Sequence, residues 1–131
     1  MRPYWQGHWQ KAESNLRAAR LLLDVGEYAP CIGCAYFAAF HAAITALLKW
    51  TDYRSKEWRH KTVQAEFARL LIHRRKIFPQ RMASILSELM DLRHEADYSP
   101  EPISSEKARW AVQTASKFLD AVRDAFGGER S

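Results

Sequence analysis

A chain of 131 residues, 47% hydrophobic and 27% charged, has the size and balance of one soluble globular domain, which excludes the disordered and low-complexity classes. Two cysteines, Cys31 and Cys34, exclude a secreted-type disulfide framework. The formal net charge of +5 is concentrated: Arg54 to Arg81 carries nine Lys/Arg and two Asp/Glu, leaving 11 basic and 13 acidic residues elsewhere.

Taken in order, Met1 to Gln10 lacks the apolar run of a signal peptide, so a cytoplasmic protein is expected. Helix one is expected from Tyr4 or Gly7 to Asp24. Trp5, Trp9, Ala12, Leu16, Ala19 and Leu23 recur at three- and four-residue spacing and form one stripe. Gly26 stops it. Helix two begins near Pro30, which suits a first turn, and continues to Trp50. Its stretch Cys34 to Leu48 has no polar side, so it should be the central helix, packed by the others. This stretch falls short of the ~18 apolar residues of a membrane span, and no membrane is expected.

Thr51 to Trp58 reads as a polar connection. Helix three is expected from Arg59 to Arg74, with Val63, Phe67, Leu70 and Leu71 inward. Pro79 opens helix four, which carries Met82, Ile85, Leu86, Leu89 and Leu92 and ends near Tyr98, before Pro100 and Pro102. Ser104 or Ser105 caps helix five, with Ala111, Ala115, Phe118 and Val122 inward and Gly127-Gly128 at its end. The expectation is an all-α antiparallel bundle of about five helices in one domain over 1–131, with a core of about 9–126 and a loose tail.

Several groups could carry chemistry. Arg69, Arg74, Arg75 and Lys76 form a basic patch that would attract an acidic partner such as RNA or a nucleotide. Arg93 lies on the otherwise apolar stripe of helix four, and Asp97 is four residues on, so the two share a face. A guanidinium at a core edge must be paired or bind an anion. Tyr36 and His41 are polar groups of the central helix and need partners. Cys31-x-x-Cys34 lacks the strand–turn–helix context of a redox site. The five histidines show no i, i+4 pair, so no metal is expected, and no cofactor.

Ala35-Tyr36-Phe37-Ala38-Ala39-Phe40-His41-Ala42-Ala43 resembles the AYYAxFHAA signature of small prokaryotic HEPN-domain proteins. His60 with Val63 and Phe67 is similar to their next block. Arg93, Ala96, Asp97 and Tyr98 resemble their R-x-x-ADY element, and Lys11-Ala12 with Leu16 and Ala19 their first helix. The resemblance covers about Trp9 to Val122. It implies an all-α homodimer linked to nucleotides or RNA, and a toxin–antitoxin pairing with a minimal nucleotidyltransferase. One branch of the family is a metal-independent ribonuclease with an R-x4-6-H motif, in which arginine stabilises the phosphoryl transition state and histidine moves the proton of a ribose 2′-hydroxyl. Counted from Arg93, that histidine would fall where Tyr98, Ser99 and Pro100 stand. Arg54 with His60 and Arg2 with His8 fit the spacing formally, but off helix four.

Three functions follow as expectations. The first is a toxin-like or accessory subunit that engages a nucleotidyltransferase partner, RNA or a nucleotide through a dimeric cleft of Tyr36, His41, Arg93, Asp97 and Tyr98. The second is a ribonuclease with Arg93 as anion stabiliser and His41 or His94 in place of the motif histidine. The third is a structural dimer. An unusually apolar helix two and many aromatics point to surfaces that two copies would share.

Overall fold

The structure, a computed structural model, describes residues 4–128. The chain folds as an all-α bundle, with no strand among the described residues. Helix α1 runs Gln6–Asp24 and α2 runs Tyr28–Trp50. Between them Gly26 takes a left-handed φ of 82°. Its N–H reaches the Leu23 carbonyl, and the Glu27 N–H reaches that of Leu22. Those two bonds satisfy the last carbonyls of α1 and turn the chain back on itself.

Helix α2 is the axis of the domain. It packs against α1, the fifth helix and the fourth. Ala35, Ala38, Ala39, Ala42, Ala43 and Ala46 are fully buried and let neighbouring helices approach closely. By length and hydropathy α2 could cross a membrane, but its surface is spent inside this bundle. The apolar face that led us to expect a dimer is therefore covered within one copy.

The third helix departs from expectation. Helix α3, His60–Glu66, continues as a widened π-helical segment, Phe67–Arg74, instead of a single α-helix. Val63, Phe67, Leu70 and Leu71 are buried as the spacing predicts. The widening ends where the Leu71 carbonyl accepts from the N–H groups of both Ile77 and Phe78, with Lys76 at a left-handed φ of 54°.

The fourth helix also differs. Pro79 does not open it, because Pro79 is extended (ψ 154°) and leads into a 3₁₀ turn, Gln80–Ala83. This turn buries Met82, and α4 itself spans Ile85–Tyr98. The Ser84 carbonyl accepts from the Glu88 N–H at the start of α4. Helix α5, Ser105–Gly128, is capped by the Ser104 hydroxyl, which accepts from the Lys107 N–H at 3.2 Å. Near its end Phe126 lies among Trp5, Trp9 and Trp50, with ring centroids 5.1 to 5.4 Å away. Of the loose tail expected after Gly127, Gly128 still belongs to α5, and residues 129–131 lie outside the described residues.

Candidate anion-binding face

The N-terminal half of α2, the start of α3 and the C-terminal half of α4 meet around Tyr36. Its ring is buried, and its hydroxyl lies 3.0 Å from Nδ1 of His60. Burial pushes the phenol up to about 12, although the nearby Arg93 charge pulls the other way. Tyr36 therefore stays a neutral hydroxyl at physiological pH. Burial likewise lowers the pKa of His60. Asp91 opposes that shift, while His94, Lys61 and Arg93 add to it. His60 is thus a neutral imidazole with one nitrogen held by Tyr36.

The Arg93 guanidinium lies over the rings of Phe37, at 4.8 Å, and Tyr36, at 5.6 Å. Its Nε is 3.6 Å from Asp97 Oδ2, and the two side chains are 32% and 38% exposed. The pair is thus open to water, not a buried lock between α4 and α2. A planar cation stacked on rings and held by one long carboxylate contact keeps donors for an anion.

Of the five residues expected to converge, Tyr36, Arg93 and Asp97 do so. His41 does not. Its Nδ1 is 3.1 Å from Nδ1 of His8, and its ring stacks on that of His8, on the α1 side of α2. Residues five apart on an α-helix are about 140° apart around the axis, so Tyr36 and His41 serve different faces. Burial, then His8 and Lys11, lower His41 to about 4. Tyr98 is 78% exposed, with its ring against His94 rather than in the cluster. His60 is the member that our reading of the sequence left out of the site, and only the start of its motif block hinted at it.

The basic patch lies elsewhere. Arg69, Arg74 and Arg75 line a cavity of about 370 Å³ beside Asp52 and Tyr53, and Lys76 follows at the end of the segment. Cys31 is buried and burial pushes its thiol up to about 11, so it is an unreactive core group. No group of three or more metal-ligating side chains gathers among the described residues.

A family model described as HEPN domain matches residues 5–125. A relative from Methanocaldococcus jannaschii, named "Putative toxin MJ0605", is 30% identical over 114 residues, which is 87% of this chain and 82% of that protein.

Proposed function

The chain belongs to the HEPN domain family, and on that premise we propose that it is a toxin-like subunit that engages RNA through the face around Arg93. The toxin reading takes its support from the name of the archaeal relative. The observation that carries the face is the Arg93 guanidinium, stacked on Phe37 and Tyr36, part-exposed and only loosely held by Asp97. A phosphate group would find an accessible, oriented fork there. Tyr98, exposed on the last turn of α4, is the group that a minimal nucleotidyltransferase partner would contact or modify. The test is RNA binding and recovery of partner proteins with wild-type, Arg93→Ala and Tyr98→Phe chains. Equal RNA binding by folded Arg93→Ala would remove Arg93 from the function.

A second reading, metal-independent RNA cleavage, is favoured by His60. Tyr36 occupies Nδ1, which leaves Nε2 for a substrate, and in the tautomer a base needs, Nδ1–H donates to the Tyr36 oxygen. In this reading His60 takes the proton of a ribose 2′-hydroxyl while Arg93 stabilises the phosphoryl oxygens. The 2′-oxygen bonds to phosphorus, and the 5′-oxygen leaves and takes a proton from water. Loss of cleavage in His60→Gln with RNA binding retained would support it. Absence of cleavage by wild-type protein removes it and leaves the binding subunit.

A further inference from the structure

We infer that the cavity at the far end of α2 is a second site, built for the 5′-phosphomonoester end of a nucleotide. It does not rest on the reading of the Arg93 face. From Tyr36 to Trp50 is fourteen residues of α2, about 20 Å along its axis, so the two sites are separate. The cavity, about 370 Å³, is in the range of small-ligand pockets.

The backbone makes this cavity. In an α-helix Arg69 and Arg74, five residues apart, would diverge by about 140°. The π-helical turns of Phe67–Arg74 bring both onto one side, against the α2–α3 connection. Such widened turns are rare and recur at functional sites. The left-handed Lys76 that closes the segment adds local strain.

The lining fits a doubly charged phosphate with a ring attached. Arg74 makes no hydrogen bond or ion pair among the described residues, so its donors are available. Arg69 is held by Glu66 at 2.6 Å, and Arg75 donates to the Trp50 carbonyl; both are thereby fixed in place around the cavity. With Arg69 balanced by Glu66, Arg74 and Arg75 face the one carboxylate of the lining, Asp52, and leave a net positive hollow. Tyr53, its ring tilted against Trp58 at 6.0 Å, lines the cavity as an aromatic wall, and Asp52 as an acceptor for ribose hydroxyls. An internal phosphodiester carries one charge, whereas a terminal phosphate carries nearly two at neutral pH and uses more of the arginines. The source is either a free nucleotide or the 5′-phosphorylated end of an RNA strand.

The experiment is equilibrium binding to the full chain of four probes: AMP, adenosine, and one trinucleotide RNA with and without a 5′-phosphate. We expect each phosphorylated probe to bind at least about tenfold more tightly than its unphosphorylated partner. Arg74→Gln and Arg69→Gln, both at exposed positions, should each weaken phosphorylated probes several-fold, with affinity falling as salt rises. Arg109→Gln, at an exposed position of α5 that does not line the cavity, should leave AMP binding unchanged. Tighter binding of the phosphorylated trinucleotide than of AMP assigns the site to strand ends, and the reverse assigns it to free nucleotide. Equal binding of AMP and adenosine, no binding of any probe, or unchanged binding in both cavity variants overturns the proposal. Loss of AMP binding in Arg109→Gln also overturns it, because the effect would then not belong to the cavity.

Discussion

The Nδ1 atoms of His8 and His41 lie 3.1 Å apart, so α1 and α2 are joined by two imidazoles that share one proton between those atoms. One ring must donate and the other accept, and protonating the accepting Nδ1 would set two N–H groups against each other and place a cation in a part-buried site. Burial comes first in lowering both groups. His8 and Lys11 add to the effect on His41, and Lys11 to that on His8, while Trp58 closes the site by packing edge-on to His8.

This pair predicts acid sensitivity, with a definite sign. The unfolded chain protonates its histidines near 6.5, whereas folded His41 does so only at about 4. Between those values the unfolded state binds more protons, so stability is full above about pH 6.5 and falls as pH drops toward 4. The gap between 6.5 and about 4 corresponds to roughly 3.4 kcal/mol, which solvent at this part-buried ring reduces to about 2 kcal/mol or less. Urea unfolding of wild type and His41→Gln at several pH values measures it. The difference between the two proteins should change steadily from pH 6.5 to 4.5. A difference that does not depend on pH would contradict the pairing.

Arg93→Ala separates stability from binding. Because the Arg93–Asp97 pair is solvent-exposed at 3.6 Å, losing it costs about 0–1 kcal/mol, plus a similar amount for the stacking on Phe37. A fully buried pair would cost roughly 3–5 kcal/mol. The variant should therefore fold with a midpoint close to wild type and yet bind RNA more weakly. A loss of several kcal/mol would instead make Arg93 a structural group.

What the sequence made legible follows from periodicity. The stripes of α1 and α5 and the all-round burial of α2 are local patterns, and burial is what such patterns encode. The π-helical widening was not legible, because Val63, Phe67, Leu70 and Leu71 also fit α spacing. It depends on where Ile77 and Phe78 find their carbonyl, which is a matter of the following turn. The break at Ser84 has a similar origin, since Met82 must turn inward before α4 can start. The separation of His41 from Tyr36 was within reach of the sequence, through the angle between positions five apart. The partnership of Tyr36 with His60 was not, because a contact across 24 residues has no spacing rule.

Two backbone substitutions should act in the same direction for opposite reasons. Gly33 sits inside α2, and a Cβ there would meet nothing within 4 Å. Gly33→Ala should stabilise by about 0.5–1 kcal/mol. Lys76 holds a left-handed φ, and Lys76→Gly should relieve it for a gain of about 0.5–1 kcal/mol. Thermal unfolding reads both. Destabilisation by Gly33→Ala in a dimer, but not in a dissociated chain, would place this face of α2 against a second copy.

His60 allows the electrostatics of the proposed face to be checked without any ligand. Its pKa is lowered by burial, raised in part by Asp91, and lowered further by His94, Lys61 and Arg93. Asp91→Asn should therefore move the His60 titration further down, and Arg93→Gln should move it up. Tyr36→Phe takes away the group on Nδ1. The ring then regains freedom at a cost of about 0.5–1.5 kcal/mol, the net worth of one hydrogen bond. Imidazole resonances followed by NMR against pH report each shift separately. His60 titrating above 6.5 in wild type, or unmoved by both charge variants, would mean that Arg93 and Asp91 do not share its environment. A common anion-binding face would then have no electrostatic basis.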